Sequence, residues 1–299
     1  DPQAFANAIQ DNTRLVFGET LGNPSLDVLN IPAIAEVAHA AGLPLMVDST
    51  TTTPYLIKPF ELGADIIQHS ATKFLSGHGI VIGGLLGDSG QLDWEASGKF
   101  PTLSEPYAGF HNLIFTEEFG PAAMIQRARK EGLRDFGACM APTSAFHILQ
   151  GIETLSVRMA RHVENTRAIT AFLLEQEQVT RVGYPELDGH PDQALAAELL
   201  PNGCGAVFSF DLAGGRAAGI AFVDALSVFS HLANIGDAKS LVIHPASTTH
   251  HRMDAAALAA GGIGEGTIRL SIGLEDPKDL KADLKQGLRA AGKAAGGGR

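Results

Sequence analysis

The stretch "DIIQHSATKFLSGHG", Asp65 to Gly79, decides the reading of this chain. An apolar run, Ile66-Ile67, ends in His69-Ser70-Ala71-Thr72, and a single lysine, Lys73, follows among small hydroxyl residues and glycines. A lysine at the end of a strand is ordinarily a solvated charge. The neighbours of Lys73 argue otherwise. Ser70 and Thr72 offer hydroxyls, and the glycines of "SGHGIVIGG" let backbone approach a ligand closely. Hydroxyls and backbone amides suit a phosphate.

Working outward, apolar segments alternate with helical ones. "RLVFGET" (Arg14 to Thr20), "LPLMVDST" (Leu43 to Thr50), "DIIQHS" and "IVIGGLLG" (Ile80 to Gly87) read as strands. "NIPAIAEVAHAAG" (Asn30 to Gly42) has helical periodicity and a glycine stop, and "PFELGA" reads as a brief helix. Continuous apolar strands joined by helices predict an α/β fold, a mostly parallel sheet with helices on both faces. Ligands bind outside the carboxyl ends of such strands. The polar residues there, Glu19 to Asn23, Asp48 to Thr50 and Ser70 to Lys73, become the candidates.

From Pro121 to Gln178 the pattern is largely helical, with one long or kinked helix after Ala141. "GAVFSFDL" (Gly205 to Leu212) and "TIRLSIG" (Thr267 to Gly273) read as alternating strands with one polar face. "DPKDLKADLKQGLRAAG" begins with an Asp cap and a Pro and reads as an amphipathic last helix. A smaller α+β C-terminal domain follows from about Val157, dividing the chain into 1–156 and 157–299. The tail "AGKAAGGGR" is expected to be mobile.

The bulk numbers exclude several classes. The chain has 299 residues, 45% hydrophobic and 18% charged, which supports a large core and argues against disorder. Acids outnumber bases 33 to 22, so nucleic acid is not expected as a partner. No segment reads as a membrane span, and the start lacks the order of a signal peptide. Cys139 and Cys204 lie far apart without CxxC spacing, so neither a disulfide framework nor a zinc ribbon is expected. A cytoplasmic location follows. His69, His78, His250 and His251 lack HExxH or similar spacing, and no metal is expected. His78 reads as a loop-packing residue.

A phosphate cup beside a lysine amine meets the needs of pyridoxal 5'-phosphate (PLP), which also wants a carboxylate against its ring nitrogen. Asp48 ends the run "LPLMV" and should point into the same crevice; its alternative is a helix N-cap over the threonines that follow. In "TIRLSIG", Ile268, Leu270 and Ile272 should face the core and Arg269 the other way. Arginine's fork suits a carboxylate.

"DIIQHSATKFLSGHG" resembles the signature of the Cys/Met-metabolism PLP enzymes, the cystathionine γ-synthase group of fold type I. The resemblance continues through "ETLGNPSL", "VDSTTTTPYL", "GDAKSLVIHPASTTH" and "TIRLSIGLEDPKDL", essentially the whole chain. It implies that Lys73 is the Schiff-base lysine and Asp48 the acid on the ring nitrogen. Ser70 and Thr72 would hold the phosphate, and Asn23 would contact the ring's phenolic oxygen. Arg269 would grip the substrate α-carboxylate, with Asn234 near it where many relatives have serine. Glu19 would support the Asn23 loop.

Within the group, "KFPTLSEPYAGFH", "RKEGLRDFGACMAP" and "HLANIGDAKSLVIHP" look most like O-acetylhomoserine sulfhydrylases. The implied reaction joins O-acetyl-L-homoserine and sulfide, or a thiol, to give homocysteine and acetate. O-succinylhomoserine sulfhydrylase, cystathionine γ-synthase and methionine γ-lyase are the rivals. The resemblance also implies a homotetramer with active sites shared across a dimer interface. Two departures are expected to alter packing behind or over the ring: Ser49 stands where relatives usually have Asn, and relatives often have an aromatic near Thr51. Family members are longer at the N-terminus, where a phosphate-binding glycine loop, a ring-stacking tyrosine and a Tyr/Arg pair lie, and nothing here matches those. A chain that folds and oligomerises without holding the cofactor is therefore the alternative from a different class.

Overall fold

The computed structural model describes residues 1–23 and 25–296. The first half builds a four-stranded sheet from β1 (Val16–Glu19), β2 (Leu45–Asp48), β3 (Ile66–Ser70) and β4 (Gly84–Asp88), in that order. The first three strands are parallel, and β4 runs antiparallel to β3. Register places Glu19 beside Asp48 and Asp48 beside Gln68, so these polar residues form one row across the carboxyl ends of three strands.

Both faces are covered as the alternation requires. Leu45, Val47 and Ile67 join the main core, against Ile31, Ile34 and Ala38 of the helix Ile31–Ala40. That helix is capped by Asn30, whose side chain accepts from the Ala33 amide at 3.2 Å. On the opposite face Met46 and Ile66 pack with Trp94, Leu103 and Phe115. The polar row lies on this second face, beyond the end of that aromatic cluster.

Residues Ile80 to Gly83, expected to open β4, leave the sheet, and Ile82 is 86% exposed. The cause is Thr72. Its hydroxyl accepts from the Gly83 amide at 3.1 Å, and the Thr72 amide donates to the Gly83 carbonyl at 3.2 Å. These bonds tie Gly83 to the Lys73 turn, so ladder pairing starts one residue later, at Ser70 and Gly84. A Cβ on Gly83 would also lie 2.6 Å from Ile148, which only glycine avoids.

The second sheet has the order β5-β6-β9-β8-β7, from β5 (Val179–Gly183), β6 (Val207–Leu212), β7 (Ser230–His231), β8 (Leu241–Ile243) and β9 (Thr267–Ser271). Its pairs are antiparallel except β7 with β8. Helices Gly215–Asp224, Pro277–Gly296 and Leu155–Leu174 cover it, and Phe210 meets Phe222 edge to face at 5.5 Å. The expected polar face of these strands is not solvated. Thr267 and Ser271 are buried, because Thr267 donates to Asp211 and Ser271 accepts from the Gly236 amide at 3.1 Å.

The helical stretch after Ala141 breaks at Thr154 into Pro142–Glu153 and Leu155–Leu174. The last helix starts as its Asp cap predicts, with Asp276 accepting from the Lys278 amide at 2.8 Å. It then runs on through the tail expected to be mobile. Ala291 is buried, and Ala295 packs against Gly214, which holds the helix to Gly296. Residues 297–299 of that tail lie outside the described residues.

Candidate active site

The loop after β1 brings Asn23 to Arg269 of β9, and the turn after β3 brings Lys73 to Asn234 beside it. Lys73 follows β3 in a tight turn, with its amide donating to the Ser70 carbonyl at 3.1 Å and its carbonyl accepting from the Gly77 amide at 2.8 Å. The turn closes because Gly77 adopts φ +70°, which is open to glycine. Lys73 Nζ donates to the Asn234 side-chain oxygen. Burial, and then the Arg269 charge, hold its amine below the ordinary lysine pKa.

Arg269 points away from the core as alternation predicts, while Ile268, Leu270 and Ile272 are fully buried. Its guanidinium reaches the Asn234 carbonyl at 3.3 Å and the Asn23 side-chain oxygen at 3.4 Å. Burial lowers its pKa, and a carboxylate is the natural partner for such a group. Asn234 thus touches both charged residues, one through its side chain and one through its backbone.

The polar row forms the floor. Asp48 accepts from the Thr50 amide at 2.8 Å and from Gln68 Nε2 at 2.8 Å, so both its oxygens are fixed. The N-cap alternative survives only as that local Thr50 contact. Glu19 has its pKa raised by burial and then by Asp48, while the Asn23 amide lowers it. Hydrogen bonds link Lys73, Asn234, Arg269 and Asn23, and Asn23 reaches Glu19, the strand neighbour of Asp48 and Gln68. A cavity of about 420 Å³ lies against Asp48, Gln68, His69, Ser70 and Gly83 to Leu86.

The predicted residues fare differently. Lys73, Asn234, Arg269 and Asn23 are brought together, and Asp48 and Ser70 line a cavity together. Thr72 uses its hydroxyl on Gly83. Asn23 sits at Arg269, with its backbone amide on Glu19. Ser49 and Thr52 share a 2.8 Å bond, and Thr52 and Thr20 one of 2.9 Å, so the Ser49 departure is absorbed by buried hydroxyl pairs. His78 is exposed, with Nδ1 on the Ser76 carbonyl at 2.6 Å. Gln68, which fixes Asp48, was not singled out from sequence. Its signal was a lone amide in an apolar strand, in register with an acid.

These residues fit PLP. Lys73 supplies an amine with a lowered pKa, Asp48 a carboxylate with fixed orientation, and Ser70 a hydroxyl on the same cavity.

Comparison with known proteins agrees. The family model described as Cys/Met metabolism PLP-dependent enzyme matches residues 1–289. A homocysteine synthase of Schizosaccharomyces pombe is 45% identical over 293 residues, 97% of this chain and 68% of its own length. An O-acetyl-L-homoserine sulfhydrylase of Leptospira meyeri is 44% identical over 298 residues, 97% of this chain and 67% of its own. A crystal structure from Campylobacter jejuni, containing N'-pyridoxyl-lysine-5'-monophosphate, superposes with a TM-score of 0.92 at 35% identity, covering 97% of this chain and 69% of that one. The chain therefore spans about two thirds of the length of these relatives. A family model matched over residues 1–289, and relatives 44–45% identical over 97% of the chain, make this chain a member of the Cys/Met metabolism PLP-dependent enzyme family.

Proposed function

We propose that the protein catalyses γ-replacement: O-acetyl-L-homoserine and sulfide, or a thiol, give L-homocysteine and acetate. The observation that carries this is the meeting of Lys73 and Arg269 at Asn234. Arg269 binds the substrate α-carboxylate through its fork and so presents the Cα–H bond to Lys73. The Lys73 amine, kept partly neutral by burial and by the Arg269 charge, takes the Cα proton and returns one later. When bound, PLP supplies the electron sink for the pair left by that proton. Asp48 would keep a proton on its ring nitrogen, and Gln68 and the Thr50 amide hold Asp48. Ser70 would hold the phosphate, with Thr72 joining it only by releasing its hydroxyl from Gly83, and Asn23 would contact the ring's phenolic oxygen. Acetate departs from Cγ and the sulfur nucleophile takes its place. The chemistry of the relatives named above supports the acetyl ester and sulfide.

Assays of acetyl against succinyl esters, each with sulfide and with cysteine, test the reading. Homocysteine formation fastest from the acetyl ester with sulfide is expected. A preference for the succinyl ester, or for cysteine, would move the chain to a sister activity, and 2-ketobutyrate from methionine would indicate a lyase. A visible absorbance band abolished by borohydride is expected. Its absence from protein prepared with PLP would favour the non-catalytic alternative.

The same reading carries further proposals. Residues 1–156 serve the cofactor and 157–299 form the smaller domain, with the boundary in the first turn of helix Leu155–Leu174. The chain assembles as a homotetramer with sites shared across a dimer interface, supported by exposed Ile82, Phe136 and Val157. Sedimentation equilibrium would show four chains. A cytoplasmic location is supported by unpaired Cys139 and Cys204. No described helix is long and apolar enough to cross a membrane.

A further inference from the structure

Helix Leu155–Leu174 carries Arg158, His162 and Asn165 along one face. All three are buried, at 6%, 0% and 0% exposure. Among the described residues no carboxylate pairs with Arg158. Its guanidinium donates instead to the carbonyls of Phe74 at 2.8 Å, Leu75 at 3.2 Å and Gly151 at 2.6 Å, and to the Thr154 hydroxyl at 3.2 Å. Phe74 and Leu75 directly follow Lys73. The fit is close: a Cβ on Gly77, at the end of the same turn, would lie 2.1 Å from Arg158.

The next two residues reach the other side of the site. His162 Nδ1 donates to the Ile272 carbonyl at 2.7 Å, and its ring meets Phe74 edge to face at 5.3 Å. Asn165 Nδ2 donates to the carbonyls of Gly273 and Glu275, each at 2.9 Å. Ile272 to Glu275 are the chain leaving β9, three to six residues after Arg269. One helix face therefore grips the backbone after Lys73 and the backbone after Arg269. A strap bridges the same two segments. The Ala238 amide donates to the Gly77 carbonyl at 2.8 Å, and the Gly236 amide to Ser271 Oγ at 3.1 Å.

Apolar residues would fill this space without burying a charge. A buried guanidinium spent on backbone carbonyls is better explained by what it holds still. We propose that Arg158, His162 and Asn165 are positioning residues that set the Lys73 amine against the Arg269 guanidinium, Arg158 through the Lys73 turn and Asn165 through the exit from β9. This rests on the reading of Lys73 as the cofactor lysine and Arg269 as the carboxylate clamp.

The test uses PLP-loaded protein carrying R158K, R158M or N165S. Three readouts are compared with the unsubstituted protein: the pH midpoint of the visible cofactor band, kcat and KM for O-acetyl-L-homoserine, and the thermal midpoint. R158K keeps the charge but cannot reach all the carbonyls. It should move the spectroscopic midpoint and lower kcat about tenfold, with KM changed less than about twofold. R158M should do so more strongly, and where it yields no folded protein R158K carries the test. N165S should show the reverse split, with KM raised on the order of tenfold and kcat nearly unchanged. If both residues only stabilise, R158K and N165S will lower the thermal midpoint and leave the spectrum, kcat and KM in place; that result overturns the proposal. K73A separates the underlying reading. If K73A protein is still fixed covalently to PLP by borohydride, the reading of Lys73 fails and the proposal with it, whatever R158K does.

Discussion

Lys73 and Arg269 meet at Asn234, yet they stand on opposite kinds of backbone. Arg269 lies in the middle of β9, hydrogen-bonded to β6 on one side and β8 on the other, opposite Ser209 and Ile243. Lys73 lies past the end of β3, in a turn closed by Gly77 and gripped from outside by Arg158. The difference follows from the two tasks. A carboxylate clamp works by holding one geometry, and a strand interior holds it. A lysine that must engage a cofactor and then reach a Cα proton needs freedom in its side chain and restraint only in its backbone.

The largest break in this comparison comes at Lys73 itself. K73A should lower turnover at least about 10⁴-fold, because it removes both the covalent anchor and the base. Steady-state assay, with mass spectrometry after borohydride, reads both losses. Activity within about tenfold of normal would place the proton transfer on another residue.

Arg269 should break the other side. R269L should lower kcat/KM by about 10²- to 10³-fold, roughly 3–4 kcal/mol, mostly through KM. It should also move the Lys73 titration. The Arg269 charge helps lower the Lys73 pKa, so its removal raises that pKa, and the rising limb of the pH–rate profile should shift to higher pH. R269K, which keeps the charge but not the fork, should raise KM and leave the limb in place. A limb that stays put in R269L would mean that the two groups do not feel each other.

His162 links the two regions and should show it as pH-dependent stability. Burial lowers its pKa from 6.5 to about 4. The unfolded chain therefore binds this proton more readily between those values. Stability from this residue is intact above about 6.5 and falls as pH drops toward 4, by roughly 3 kcal/mol in all. Urea unfolding of the protein and of H162Q at several pH values checks the slope. A slope equally steep in H162Q would assign the acid sensitivity elsewhere.

The contrast also explains what could be read without coordinates. Lys73, Asp48 and Arg269 were legible less from strand position, where a solvated charge or a helix cap serves as well, than from the hydroxyls, glycines and long motifs around them. The polar row of Glu19, Asp48 and Gln68 was only half legible, since strand register is a property of pairs and no single segment shows it. Arg158, His162 and Asn165 look like the wet face of an amphipathic helix until the carbonyls they meet are known. The false start of β4 at Ile80 had a similar cause. Apolarity alone does not separate a ladder residue from one diverted by a side-chain bond, and Thr72 diverts Gly83.

Gln68 should give the smallest effect and the cleanest test of separation. It sits in β3, on the Lys73 side, and donates to Asp48 without touching Arg269 or Asn234. Q68L leaves one oxygen of a partly buried carboxylate without its donor, so Asp48 is held less well against the ring nitrogen. A loss near 1.4 kcal/mol, about tenfold in kcat, is the expected scale for one charge-assisted hydrogen bond acting at a distance from the reacting atoms. KM should hold, because the clamp is carried by another strand in another sheet. If KM moves instead, the crevice deforms as one body, and the rigid strand and the gripped turn are not separate devices.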